Sequence, residues 1–250
     1  MFGIEPMAML VIAVAAGIGG FAKGVTGIGL PIIAIAITVN YFEPRTALAI
    51  IVVPIVVTNL WQSLRSDDLL APLRRFWLMI VCFLITLLTF ARVMAGLDTQ
   101  MMFGVLGIVV TLFALSSLWR PRAQPLSPKT ERWLGPVDGI LGGILGGLTT
   151  IWGPPMMMFF VLLKLDKDEW VRTVGFVWST GAIPLAYAYW QNGVLNEETL
   201  PLSLYACIPG LIGIVIGEMV RKHINQEAFR KTMLIVLFVI GLNLIRRAVF

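Results

Sequence analysis

The chain has 250 residues, of which 58% are hydrophobic and only 13% are charged, and its mean hydropathy is +0.88. This composition excludes a soluble globular domain, because there is too little polar material to cover such a domain with a water-facing surface. The net charge of +5 does not indicate nucleic acid binding, since lysine and arginine gather in the cytoplasmic loops of membrane proteins and set their orientation.

The first apolar stretch covers residues 7–39 and is interrupted by several glycines and then by a proline. If it is divided into two half-segments of about 14 residues, each reaches only about 21 Å, which is short of a hydrocarbon core of about 30 Å. We therefore expect a broken helix or a re-entrant hairpin that is buried in protein or lines a cavity. The tip of this element is the segment AKGVTGIGLP, at residues 22–31.

Three ordinary spanning helices are predicted after this stretch, at residues 46–64, 74–92 and 100–119. They complete a first repeat at residues 1–119. The segment at residues 120–133 contains three prolines and five charged side chains, and it is predicted to be a cytoplasmic linker that divides the chain nearly in half.

The second half has the same order of elements. Its broken stretch covers residues 136–163, with the tip in the segment LGGLTTIWGPP at residues 145–155. The second repeat, residues 134–250, is completed by spanning helices predicted at 170–190, 200–220 and 229–248. The predicted fold class is therefore an all-α polytopic membrane protein built from two repeats.

The two broken stretches align without gaps at an offset of 123 residues. The matched positions are glycines, a threonine and a proline: Gly19, Gly20, Gly24, Thr26 and Pro31 fall on Gly142, Gly143, Gly147, Thr149 and Pro154. Beyond the broken stretches the offset becomes 127, because the second half has four extra residues there. Each half is therefore predicted to contain one broken element followed by three helices.

The distribution of charge decides how the two halves are related. If each broken stretch enters and leaves on one side, the halves are inverted, and fourteen lysines and arginines lie on one face of the membrane against four on the other. If each stretch crosses once, the repeats are parallel and nine lie on each face, which gives no orientation. The inverted arrangement is favoured, with both termini on the periplasmic or extracellular side.

Inverted repeats with a broken helix in each half are typical of transporters, whose binding site lies where the breaks meet. Small residues allow close approach to a ligand, unpaired backbone N–H groups favour an anion, and hydroxyl groups add donors. The substrate-binding residues predicted at the two tips are Lys23, Gly24, Thr26, Gly27, Gly147, Thr149, Thr150 and Trp152.

These tip residues also have structural interpretations. Lys23 carries the only charge in the first broken stretch, and its alternative role is a side chain that reaches one membrane interface. The glycine spacings at Gly20 and Gly24, and at Gly143 and Gly147, are also typical of close helix packing.

Four further residues are candidates for the site because they are polar or aromatic and lie within predicted spanning helices: Asn59, Trp178, Ser179 and Thr180. Serine and threonine in membrane helices more often bond their own backbone than a ligand. A buried asparagine amide, by contrast, requires hydrogen-bond partners.

No enzyme, metal or cofactor site is expected. Cys82 and Cys207 both lie within apolar segments, and His223 is the only histidine, so neither a metal centre nor a histidine-based nucleophile is indicated. No aspartate or glutamate is expected near the middle of the membrane, although proton-coupled carriers usually place a carboxylate there. An anion channel therefore remains an alternative to a transporter, followed by an assembly subunit and an intramembrane enzyme.

The segments GIGGFAKGVTGIGLP at residues 17–31 and GGILGGLTTIWGPP at residues 142–155 resemble the TauE/SafE sulfite exporter family. The resemblance spans essentially the whole chain. It implies a bacterial inner-membrane permease whose partners are the lipid bilayer and a small anion such as sulfite or an organosulfonate. Family members often have a denser glycine run at the second tip, where this chain has Thr149-Thr150-Ile151-Trp152. A two-carbon sulfonate or a carboxylate therefore fits as well as sulfite.

From these features we predict a transporter that works by alternating access, with the anion held between the two tips. The direction of transport, the coupling ion and homo-oligomer formation are left open by the sequence.

Overall fold

The computed structural model of the chain describes residues 5–27, 29–63, 71–118, 126–163, 167–221, 223 and 226–249. Within these ranges the regular secondary structure is entirely helical. The helices are α1 (Pro6–Thr26), α2 (Leu30–Thr38), α3 (Pro44–Ser63), α4 (Ala71–Ala95), α5 (Thr99–Leu118), α6 (Pro128–Thr149), α7 (Gly153–Leu163), α8 (Lys167–Gln191), α9 (Thr199–Val220) and α10 (Gln226–Val249).

Each of the six predicted spanning segments is a helix, corresponding to α3, α4, α5, α8, α9 and α10, with ends that differ by at most three residues. Residues 64 and 119, at the ends of two predicted helices, lie outside the described residues. Four helical segments in the described part of the chain are long and apolar enough to cross a membrane: Pro6–Val25, Pro44–Ser63, Ala71–Ala95 and Thr199–Val220.

The outer surface of the bundle is apolar. Trp77 and Ile85 on α4, Ile208 on α9 and Val239 on α10 are each more than half exposed. A soluble protein rarely exposes a continuous apolar surface of this kind, whereas lipid tails cover it at no cost. This surface agrees with the membrane environment that the composition predicts.

Helix α6 begins earlier than the sequence suggested. The apolar stretch was predicted from residue 136, but the helix starts at Pro128. The linker predicted at 120–133 therefore ends by residue 127. Residues 120–125 of this linker lie outside the described part of the chain. The Ser127 hydroxyl accepts a hydrogen bond of 3.2 Å from the backbone N–H of Thr130, and Glu131 lies in the first turn. This capping supports a polar helical turn outside the apolar segment.

Both broken stretches are divided unequally. Helices α1 and α2 have 21 and 9 residues, and α6 and α7 have 22 and 11. The assumption of two half-segments of equal length was therefore wrong. Because 21 helical residues rise by about 31 Å, α1 alone is long enough to cross the hydrocarbon core.

The short helix of each pair folds back against the long one. A Cβ atom placed at Gly19 on α1 would lie 3.3 Å from the Ala34 Cβ on α2, and one at Gly142 on α6 would lie 3.2 Å from the Met156 Cγ on α7. Seven of the nine residues of α2 are buried, so this helix lies inside the protein and not at its lipid-facing surface. The breaks are therefore surrounded by other helices.

Glycines bring the long helices of the breaks into close contact with neighbouring helices. Gly20 and Gly24 of α1 face Gly210 and Gly217 of α9, so the two helices run in the same direction. The absence of side chains at these positions lets the two backbones approach directly.

Helix α6 packs on α4 in the corresponding way. Gly143 faces the backbone of Phe83, and Gly147 faces the backbone of Leu87, again with both helices running in the same direction. Helices α5 and α10 pack with opposite directions, because Gly104 faces Ala248 while Gly107, one turn later, faces the earlier residue Ile245.

Candidate functional site

A cleft lies between the two breaks. The first break contributes Gly29 and two residues from the start of α2, and the second contributes the connection between α6 and α7. The residues that line the cleft are Gly29, Pro31, Ile32, Phe113, Thr150, Ile151, Trp152, Gly153 and Trp178. The two glycine-rich segments, which are more than 100 residues apart in the sequence, therefore share one cavity.

The first break is formed by glycines in conformations that other residues rarely adopt. Gly27 ends α1 with φ of 84°, and its N–H donates a hydrogen bond of 2.7 Å to the carbonyl of Lys23. Gly29 has φ of 113° and precedes α2, whose first turn contains Pro31. These positive φ values explain why the segment is rich in glycine.

The second break is held by threonine hydroxyl groups. Thr150 ends α6 in the left-handed conformation, with φ of 61°, and its Oγ1 donates a hydrogen bond of 2.6 Å to the carbonyl of Thr149. The Thr149 Oγ1 donates to the carbonyl of Leu145 at 2.7 Å and accepts from the N–H of Ile151 at 3.2 Å. Both hydroxyl protons are therefore used within the turn, although Thr150 also lines the cleft.

Two helices begin at the cleft. Helix α2 starts directly after Gly29, and α7 starts at Gly153, and both glycines line the cavity. The first N–H groups of a helix have no partner within the helix, and the helix dipole places partial positive charge there. Pro31, Pro154 and Pro155 have no N–H, so the remaining first-turn N–H groups and the two helix dipoles are what favour a bound anion.

Trp152 supplies an independent sign of a missing partner. Its side chain is 1% exposed and lines the cleft, and its Nε1 donor has no hydrogen-bond partner among the described residues. The indole packs edge-on against Phe83, with ring centroids 5.8 Å apart. A buried donor without an acceptor is costly, so a ligand that brings an acceptor into the cleft would be stabilised.

The Lys23 side chain does not line the cleft. It is 6% exposed, and its ammonium group donates hydrogen bonds to the Oγ1 of Thr58, at 3.1 Å, and to the Oδ1 of Asn59. In the described part of the chain no carboxylate pairs with Lys23. The Nδ2 donor of Asn59 has no partner there either. This cluster therefore holds a positive charge and a free donor, balanced only by neutral oxygens.

A comparison with protein-family models finds a match to the model described as "Sulfite exporter TauE/SafE", over residues 11–244. The chain belongs to the TauE/SafE sulfite exporter family. Membership implies a multi-pass membrane transporter of sulfite or related anions. Neither a curated protein nor a solved structure matches the chain.

In this TauE/SafE protein, the predicted site residues fall into separate groups. Thr150, Trp152 and Trp178 line the cleft, while Lys23 and Asn59 meet in the neighbouring polar cluster. Helix α1 ends at Thr26, whose side chain lies outside what the structure describes.

Four of the predicted site residues have structural roles. Gly24 and Gly147 lie at contacts between helices and not at the cleft. The hydroxyl of Ser179 donates to the carbonyl of Gly175, and that of Thr180 to the carbonyl of Val177, both at 2.8 Å. These hydroxyl groups satisfy the backbone of α8, as is common for serine and threonine in membrane helices.

Two of the differences between the halves of the repeat concern the site. Lys23 corresponds to Gly146, and Gly29 corresponds to Trp152. A Cβ atom at Gly146 would lie 2.9 Å from the Trp152 Cε3, so the indole occupies the space next to the helix. One half therefore combines a long cation with a glycine, and the other combines a glycine with a large aromatic ring.

Two features of the structure, one in the cleft and one outside it, were not recognised in the sequence. Phe113 of α5 and Ile32 of α2 form apolar walls of the cleft, and nothing distinguishes them from other apolar residues in their helices. Asp138 of α6 is 8% exposed, and its Oδ2 has no partner among the described residues. Asp138 is therefore a buried carboxyl group that the sequence pattern did not single out. The available signal was an acidic residue within the apolar stretch 136–163.

Proposed function

We propose that this TauE/SafE chain transports a small anion by alternating access, and that the anion binds in the cleft between the two breaks. The observation that carries the proposal is the meeting of two helix N-termini and one indole N–H at one cavity. Two helices begin there, at Gly29 and Gly153, and the buried indole N–H of Trp152 lacks a partner. Oxyanions have acceptors in several directions, which suits such a set of donors.

The charge of Lys23 supports the choice of an anion. Its ammonium group is buried against Thr58 and Asn59 and has no described counter-ion. Ala22, the preceding residue, lies against Gly29 at the cleft, since a Cβ at Gly29 would be 3.9 Å from the Ala22 Cβ. In an environment of low dielectric constant, a buried positive charge next in sequence to this contact favours a negative ligand.

The packing of the helices supports inverted repeats. Gly20 and Gly143 are 123 residues apart and hold equivalent positions in the repeat, as do Phe83 and Gly210, which are 127 apart. The contact of Gly20 with Gly210 therefore corresponds to the contact of Gly143 with Phe83. Helices α5 and α10 hold equivalent positions in the two halves and run in opposite directions. Parallel repeats would give equivalent helices the same direction, whereas an axis in the membrane plane reverses one of them.

We further propose that the protein lies in a bacterial inner membrane with both termini on the outer side. The excess of lysine and arginine in the loops at residues 64–75, 120–132, 164–172 and 221–231 supports this orientation, with those loops in the cytoplasm. In this arrangement α1 and α2 enter from the outer side, and α6 and α7 enter from the cytoplasmic side.

The substrate that we propose is sulfite, an organosulfonate or a related carboxylate. Ile32, Phe113 and Trp178 give the cleft apolar walls beside its donors. An anion with a short carbon chain can use both parts of the cavity, since binding pockets commonly combine apolar walls with a few oriented polar groups.

The test is binding and transport by the purified protein, with Trp152→Phe compared with the wild type. Phenylalanine keeps an aromatic ring but removes the donor, so we expect affinity for sulfite or ethanesulfonate to fall by about tenfold, the effect of losing one hydrogen bond to a charged group. Trp190→Phe is the matched control, because Trp190 is 49% exposed on α8. Unchanged affinity in the Trp152→Phe protein would refute the assignment of the cleft.

An anion channel is the second candidate. It is suggested by the expected lack of a carboxylate near the middle of the membrane, and the buried carboxyl group of Asp138 weighs against it. Counterflow in proteoliposomes separates the two, because a carrier accelerates uptake when anion is present on the opposite side, and a simple channel does not.

A further inference from the structure

We propose that the carboxyl group of Asp138 binds the proton that couples anion transport to a pH gradient. This inference rests on the proposed anion transport, but it concerns a separate site and a different ligand. It begins from a buried acid that the cleft does not use: Asp138 is 8% exposed, its Oδ2 has no described partner, and it does not line the cavity.

Asp138 lies on the face of α6 that packs against α7. It comes three residues after Gly135 and four before Gly142, so the three share one face of the helix. A Cβ at Gly135 would lie 3.6 Å from the Phe159 Cζ, and one at Gly142 would lie 3.2 Å from the Met156 Cγ. The side chains that α7 presents on either side of Asp138 are therefore apolar.

No described cation is placed to balance an ionised Asp138. The elements that pack against α6 are α4, α5 and α7, and the sequences of α5 and α7 contain no titratable residue. On α4, Arg75 is paired with Glu131 at 2.8 Å, seven residues before Asp138, or about 10 Å along the helix. Cys82 is the titratable residue of α4 at the level of Asp138, and Arg74 and Arg92 lie towards the two ends of that helix.

These surroundings favour a proton over a metal cation as the ligand. Metal cations require several oxygen, nitrogen or sulfur ligands around one point. The described residues contain no group of three or more histidine, cysteine, aspartate or glutamate side chains that could hold a metal. The neighbours of Asp138 on α7 are the thioether of Met156 and the phenyl ring of Phe159. A proton needs only the carboxylate oxygen itself.

The packing of α7 explains how proton binding changes the conformation. When α7 packs against α6, Asp138 is shielded from water. An ionised carboxylate without a partner is costly in an apolar site, so the protonated, neutral carboxyl group is favoured in this conformation. The carboxylate takes a proton from water, forming an O–H bond, and later returns it to water on the other side when that bond breaks. Because α7 begins at Gly153, which lines the cleft, a movement of α7 that hydrates Asp138 also changes the anion site.

The proposal is tested first without any anion. Infrared difference spectroscopy of the purified protein, titrated from alkaline to acid pH, reports the carbonyl band of a protonated carboxyl group. We expect a band in the wild type that is absent from Asp138→Asn and retained in Glu131→Gln. Glu131 is the matched control because it is an acid on the same helix that is paired with Arg75 at the surface. A band that survives in Asp138→Asn would overturn the proposal.

The second measurement is uptake of ethanesulfonate and of sulfite into proteoliposomes under an imposed pH gradient. We expect the gradient to drive accumulation by the wild type and by Glu131→Gln. Asp138→Asn imitates the neutral acid in shape, so it should fold and exchange anion at equal pH, but lose accumulation. Gradient-driven accumulation by Asp138→Asn would refute the coupling role.

The two measurements separate this inference from the proposed function. Absence of any anion transport by the wild type, together with an Asp138 carbonyl band, would contradict the proposed function and leave the proton site standing. Anion exchange that is insensitive to the gradient, without such a band, would contradict the proton site alone.

Discussion

The ammonium group of Lys23 donates a hydrogen bond to the Oδ1 of Asn59, which joins the last turn of α1 to α3 inside the bundle. Both residues are buried, at 6% and 1% exposure, and the other described acceptor for the ammonium group is the hydroxyl of Thr58. The described partners of this charge are neutral oxygens, and burying a charge without a counter-charge lowers stability. Its burial is explained if the charge acts on a ligand.

The first prediction follows from this pair. Lys23→Met keeps the length of the side chain but removes the charge, so we expect the protein to fold with an unchanged or higher Tm while its affinity for ethanesulfonate falls by about tenfold or more. Asn59→Asp, which places a carboxylate beside the ammonium group, should weaken binding in the same direction. Titration calorimetry and thermal unfolding in detergent measure the two effects. Full affinity in both variants would exclude an electrostatic role for Lys23.

The second prediction concerns the contact between α1 and α9. A Cβ at Gly20 would overlap the backbone of Gly210, so Gly20→Ala must separate the helices, and we expect it to lower the free energy of unfolding by about 1–3 kcal/mol. Gly17→Ala is the matched control on the same helix, because its Cβ would lie 3.8 Å from the nearest atom, the carbonyl of Pro209. Thermal or denaturant unfolding compares the two. Equal stabilities would show that the helices do not rely on this close approach.

The third prediction concerns the end of α1. No atom lies within 4 Å of a Cβ at Gly27, yet its φ of 84° disfavours any residue with a side chain. We expect Gly27→Ala to cost about 1–2 kcal/mol of stability in spite of the open space, and Gly27→Asn to cost less, because asparagine tolerates this conformation. If alanine and asparagine have the same effect, the backbone conformation at the break is not the one described.

The fourth prediction concerns orientation. Two reporters are fused after residue 250. The one that is active only outside the cytoplasm should be active, and the one that fluoresces only in the cytoplasm should not fluoresce. Fusions placed in the segment at residues 120–125 should give the opposite result, because that segment belongs to the positively charged face. Cytoplasmic activity of the C-terminal fusion would rule out the inverted arrangement.

Much of the architecture could be predicted because it depends on composition and periodic spacing. The six segments predicted to span are helices whose described ends lie within three residues of the prediction, and the match between the two glycine-rich segments identified the regions whose residues line one cleft. Glycine is required at Gly20 and Gly143 because neighbouring backbones approach them closely, and such contacts can be predicted from the spacing of glycines in the sequence.

Other features depend on three-dimensional surroundings that spacing does not reveal. The early start of α6 is fixed by the capping group of Ser127 and not by hydropathy, so a search for apolar residues missed it. The roles of Thr149 and Thr150 depend on which acceptor each hydroxyl reaches, and both reach their own backbone. Asp138 is shielded by α7, which follows it in the chain after a break, and neither helix alone indicates its burial.

The difference between the halves at Lys23 and Gly146 has a kinetic consequence. In a transporter with identical inverted halves, the outward-open and inward-open forms would be related by a two-fold rotation, with equal energies and equal anion affinities. Because Lys23 has no counterpart and Trp152 replaces Gly29, the two forms present different donors to the two sides of the membrane. Transport measured from the cytoplasm and from the outside should therefore saturate at different anion concentrations, with maximal rates that differ by the same factor.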